Sequence, residues 1–385
     1  MRPEDPQRLD VLLDRYRDGQ IDRRTFLSLL GFAGLAAGVV GGPLRAMAQA
    51  GGDAVKQIRF DSWGGVVSEA IRRTAITPYE KTTGIKVVEG TFGLEEEILS
   101  KAKAGRPGDY NVISSAGLSW YKRWIDAGFG VTLNEGNIPN IKNVIPALLE
   151  PFRKITPDGL SAVPYTYGNT GIAYNSNFIS HDEAKAKREN LLLDPKYKGK
   201  LSGHNDFQTR MWIAAAQTRQ DGNDIKDLDK VWAAIRENRG LVKKYWSSGA
   251  ESMELLASGE VYAADIWSGR AAALIERSPH IGYVDFNKAY CWGGDMLVLK
   301  GSPVGACERF LNFLLEPEVG IAIGEAQLYP TPFDPNKVPM PEKIKRLPNY
   351  DPTGTLERYV FADPNYWTKY EKDWKPMYSR IEKGF

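Results

Sequence analysis

Three tryptophans share one local pattern. Trp63 precedes Gly64-Gly65, Trp267 precedes Ser268-Gly269, and Trp292 precedes Gly293-Gly294. Each follows a run rich in strand-forming residues, so each indole stands where an extended segment ends at small residues. Rings in such places can wall a cleft, and their faces attract cations by about 0.5–2 kcal/mol each. Asp206 and Asp295 would add the negative charge that holds an ammonium group through charge-assisted hydrogen bonds. Two plainer readings stand beside this one: each ring packs in a core, and Asp206 only caps the helix that follows it.

Residues for other chemistries are sparse. The three histidines (His181, His204, His280) and two cysteines (Cys291, Cys307) lie scattered without metal-ligand spacing. No CxxC, HExxH, GxSxG or phosphate-binding loop occurs, so no metal or cofactor is expected, and the residue types usual for catalysis are scarce. The cysteines read equally as a disulfide or as two buried thiols. A net charge of +2 over 385 residues argues against a nucleic-acid partner.

The elements that must position these residues follow in order. Arg23-Arg24-Thr25-Phe26-Leu27, an apolar run from Leu29 to Gly42, Arg45 and Ala46-Met47-Ala48 compose a twin-arginine signal peptide over residues 1–48. Its apolar run is too short to span a bilayer. The mature chain is therefore expected in the periplasm. Gln57–Ser62, Ile85–Gly90 and Tyr110–Ser114 read as strands, with helices over Val66–Thr83 and Leu94–Ala104 between them. Such alternation predicts a parallel sheet with ligands at the carboxyl ends of its strands, where Trp63 and Ser115 fall. Val163–Asn175 (VPYTYGNTGIAYN) reads as two extended pieces meeting at Gly168, a crossing between lobes or an interior strand with a bulge. Val261–Trp267 is a buried strand, Trp292 to Asp295 is a loop, and the tail to Phe385 packs on the second lobe.

With these residues in view, the mature chain resembles the periplasmic spermidine/putrescine-binding proteins of ABC importers. The resemblance runs through FDSW (60–63), TGIKV (83–87), VPYTYGNTGIAYN, YKGKL (197–201), IWSG (266–269), the WGGD region, NFLLEPEV (312–319) and YPTP (329–332). It implies an α/β, two-lobe, type II periplasmic binding protein fold with two crossover strands. The lobes would comprise residues 55–166 with 296–331, and 167–295 with 332–385. It implies a monomer without catalysis that closes on a small-molecule ligand and docks on an ABC permease. Trp63, Ser115, Asp206, Trp267, Trp292, Asp295 and Tyr329 match the family's ligand-contacting positions. Thr209 replaces a further acid, and Arg210 follows it. That exchange makes a zwitterion such as an ω-amino acid an alternative to a polyamine, with Arg210, or Arg270 in the same way, gripping its carboxylate. A twin-arginine-exported cofactor enzyme is the remote alternative.

Overall fold

The computed structural model describes residues 55–384, so the predicted signal peptide lies outside the described residues. Ten strands form one mixed sheet with the order β2-β1-β3-β9-β4-β7-β5-β6. Strands β1 (Gln57–Ser62), β2 (Lys86–Thr91) and β3 (Val112–Ala116) are parallel, as the alternation with helices predicts. β5 (Leu201–His204), β6 (Val242–Trp246) and β7 (Ala263–Trp267) form a second parallel set.

Two long antiparallel strands join the sets. β4 (Ala162–Asn175) pairs through its first half with β9 (Ala289–Val298), and through its second half with β7 and β8 (Ile281–Val284). β9 in turn pairs with β3 and with β10 (Tyr359–Phe361). All fourteen residues of β4 are buried, as befits a strand covered on both faces. The architecture is a mixed α/β, two-lobe fold with β4 and β9 as its crossing strands.

Three expectations need correction. Val163–Asn175 is one continuous strand rather than two pieces meeting at Gly168. Its irregularity lies between Pro164 and Thr166, where proline cannot donate to the ladder. Residues 292–295 are interior to β9, not a loop. The predicted helix Val66–Thr83 contains a π-helical stretch, Arg72–Ile76, between two α-helical ones. Cys291 and Cys307 are both buried free thiols.

Seven helices matter for the site: α1 (Glu95–Ala104), α2 (Leu118–Asp126), α3 (His181–Lys187), α4 (Phe207–Gln217), α5 (Ser268–Arg277), α6 (Pro317–Gln327) and α7 (Pro364–Glu382). Helix α7 buries Trp367, Trp374 and Tyr378 with Phe207 and Trp212 of α4, the helix that follows β5. It also reaches the first set, where Glu371 pairs with Arg123 of α2. The tail thus holds both halves rather than the second alone.

Candidate functional site

Each tryptophan is half-buried, and each has found a different partner. Trp63, just past β1, leans on Phe92 with ring centroids 4.8 Å apart. Trp267 ends β7 and meets Trp246 and His204 edge-on at 5.2 and 5.1 Å. Trp292 lies across β4 at Gly168, where a Cβ would come within 2.5 Å of the indole. Its other contact is Tyr329, edge-on at 5.2 Å. The Tyr329 ring covers Gly269, leaving no room there for a side chain, and so joins the start of α5 to Trp292. Tyr329 therefore brings the Trp267 and Trp292 segments together. Among the described residues no ring contact links Trp63 to either.

The acids are divided more sharply. Asp295 is fully buried, and neither of its carboxylate oxygens has a hydrogen-bond partner among the described residues. The nearby Gly117 N–H donates to the Gly293 carbonyl instead, at 3.0 Å. Asp295 stands directly opposite Ser115 in the β3–β9 ladder, which places the two side chains on one face. Ser115 donates to Glu95 of α1, and Glu95 also accepts from Trp124 Nε1 at 3.1 Å and from the Ala116 N–H at 3.3 Å. Burial drives the Glu95 carboxyl up to about 8 despite these donors. Burial, then the neighbouring Glu95, holds Asp295 far above the carboxylate range.

Trp292 and Asp295 are three positions apart on an uninterrupted strand, so their side chains leave β9 on opposite faces. The indole meets Tyr329, while the carboxyl meets the Ser115–Glu95 pair. One sequence motif thus serves two environments.

Asp206 is half-exposed and caps α4, its carboxylate accepting from the Thr209 N–H at 2.8 Å. Ser115 is enclosed and spent on Glu95. Arg210 is also enclosed: its guanidinium pairs with Asp265 of β7, lies 3.4 Å from Asn238 Oδ1, and sits over the Tyr245 ring. Its expected place in the cleft is corrected by that pairing, because a buried carboxylate leaves the arginine little freedom to serve a ligand. Arg270, in the first turn of α5, is half-buried beside Tyr329 and has no ion-pair partner among the described residues. No cluster able to hold a metal ion occurs among the described residues.

Residue-by-residue reading missed Glu95 and Asp265. Glu95 opens a run of three glutamates in the first turn of α1, which resembles ordinary helix-start charge. Asp265 did leave a signal, because a carboxylate amid AADIW must find a cationic partner if that strand is buried.

The model of the bacterial extracellular solute-binding protein family matches residues 74–351. The putrescine-binding periplasmic protein SpuD of Pseudomonas aeruginosa is 24% identical over 370 residues, covering 91% of this chain and 98% of that protein. A gamma-aminobutyric acid-binding protein of the same species is 22% identical over 339 residues, covering 81% and 87%. A crystal structure of a spermidine/putrescine ABC transporter substrate-binding protein, PotD of Streptococcus pneumoniae, superposes with a TM-score of 0.70 at 21% identity, covering 85% of this chain and 99% of that one. Among the described residues no helix is long and apolar enough to cross a membrane.

Proposed function

The chain belongs to the bacterial extracellular solute-binding proteins, and we propose that it captures a polyamine of the putrescine or spermidine class in the periplasm and delivers it to the permease of an ABC importer. Export by the twin-arginine route precedes capture. Residues 55–166 with 296–331 would close on 167–295 with 332–385, the ligand lying between them. Trp63, Trp267, Trp292 and Tyr329 would supply ring faces and Asp206 charge along one part of the ligand, while Asp295, on the other face of β9 from Trp292, would meet an ammonium group at its end.

The observation that carries this reading is Asp295. A wholly buried carboxyl with two unpartnered oxygens is costly unless it holds a proton or meets a cation. An ammonium group meets that demand with up to three N–H donors. Ligand binding then favours the closed state through contacts made only there.

A second reading, a zwitterionic ω-amino acid, rests on Arg270. This guanidinium lies beside Tyr329 without a carboxylate of its own. It offers a planar fork for a ligand carboxylate. The gamma-aminobutyric acid-binding relative supports the same alternative.

A thermal-shift titration of the mature protein separates the two. Putrescine or spermidine should raise the unfolding temperature, since a ligand at 100 times its dissociation constant adds about 2.7 kcal/mol. Arg270→Ala should leave that shift intact. A shift with γ-aminobutyrate alone, abolished by Arg270→Ala, replaces the polyamine reading with the second one.

A further inference from the structure

β4 has a second working face. Gly168 and Gly171 are three residues apart on the strand and so look to opposite sides. A Cβ on Gly168 would strike Trp292, whereas one on Gly171 would strike the Tyr283 hydroxyl. Beyond Tyr283 lies a concavity of about 480 Å³ that the amine reading leaves unused. Its charge is the reverse of the cleft's.

Four cations line it, Lys185, Arg188, Lys288 and Arg358, against one carboxylate, Asp285. That carboxylate is already engaged, accepting from Asn169 Nδ2 at 2.8 Å and facing Arg358 Nη1 at 3.4 Å. Arg188 reaches only the Asp285 carbonyl oxygen, at 3.5 Å. Among the described residues, Lys185, Arg188 and Lys288 have no ion-pair partner, so most of the positive charge here is uncompensated.

The backbone holds this arrangement at a cost. Arg188 and Lys288 have φ of 47° and 50°, in the left-handed region that residues with a Cβ avoid. Only five non-glycine residues do so among the described residues, and two of the four cations that line this concavity are among them. The two turns are clamped together, because Glu189 accepts from the Asn287 N–H at 3.2 Å and from its side-chain amide at 3.0 Å. Such strain persists where surrounding structure enforces it, and it gathers at binding sites.

The geometry points to an anion-binding site on the reverse of β4, taking a small molecule with two or more phosphate or carboxylate groups. The cations come from three separate chain segments, which suits several anionic groups better than one. The volume falls within the usual range for small-molecule sites, roughly 300–1,000 Å³. Arg188 and Arg358 offer the planar forks that phosphate and carboxylate accept in pairs. Lys185 and Lys288 add point charge at the exposed rim. This site stands independently of the amine reading.

Calorimetric titration of pyrophosphate and of citrate into the mature protein, at matched ionic strength, tests it. One of the two should give saturable binding at a single site, and the stronger ligand identifies the phosphate or the carboxylate class. The double variant Lys185→Ala with Lys288→Asn should weaken that binding by about tenfold or more. Asparagine tolerates the left-handed backbone at 288, and both lysines lie at the surface, so folding is preserved. Any putrescine-induced thermal shift should be the same in variant and wild type. Heat that vanishes at matched ionic strength would reveal general screening and overturn the site. Equal affinity in the double variant would overturn it as well.

Discussion

Asp265 and Asp295 occupy similar positions, one within the second parallel set and the other on the strand beside the first, and live in opposite company. Each is wholly buried within a strand that pairs with β4. Asp265 pairs with Arg210 and accepts from the His204 N–H at 2.9 Å. Asp295 has no donor at all among the described residues and faces a second carboxyl, Glu95. The difference separates architecture from recognition. An ion pair completed inside the protein ties helix α4 to β7 and offers a ligand nothing. A carboxyl left incomplete leaves its demand for a cation to be met from outside.

The largest expected effect comes from breaking the completed pair. Arg210→Ala strands the Asp265 charge in the interior, and the loss of one member of a buried pair costs about 3–5 kcal/mol. Chemical denaturation should show that loss, with any putrescine shift still present at the lowered unfolding temperature. Unchanged stability together with lost ligand binding would return Arg210 to the cleft and erase the contrast.

The same contrast shows what could be read from residue order. β1, β2 and β3 were legible to within two residues, because apolar alternation and glycine stops act locally. Gly168 read as a joint between two strands. In the fold it is the floor for the Trp292 ring, a fact fixed by a partner more than a hundred residues away. The WGGD motif read as a loop for a similar reason: its glycines look like turn residues until Thr166 and Tyr165 are seen to occupy the space beside Gly294. Asp206 showed as a helix cap and is one. Arg210 was visible as an unusual charge, but its partner lies 55 residues on in a strand that pairs with β4. The local elements were legible. The assignment of charges to core or cleft was not, because it depends on which strands become neighbours.

A smaller effect is expected at the incomplete acid. Asp295→Asn keeps the shape of the side chain and removes its capacity for charge. Stability without ligand should not fall, since no donor is lost. Amine affinity should drop by about a hundredfold, or roughly 3 kcal/mol. Calorimetry measures the second change and denaturation the first. A variant that loses stability but keeps its amine affinity would make Asp295 a structural acid like Asp265.

The last effect is a slope, and it tests whether Glu95 and Asp295 act as a pair. Burial holds the Glu95 carboxyl near 8 in the folded protein, well above its ordinary range. Between those two values the folded state binds a proton that the unfolded chain has released. Stability must therefore fall as pH rises from the ordinary carboxyl range through about 8, by at most about 1.4 kcal/mol per pH unit for one proton. Asp295, raised in the same direction, adds to the fall. An ammonium group beside Asp295 favours the ionised form, so amine binding should release a proton and tighten with rising pH over that window. Calorimetry in two buffers of different ionisation heat counts the protons released. Glu95→Gln retains an acceptor for Ser115 and Trp124 but cannot ionise, and it should flatten the stability slope while reducing proton release. If proton release is unchanged in Glu95→Gln, the linked proton belongs to Asp295 alone. The two carboxyls then share a wall but not a charge.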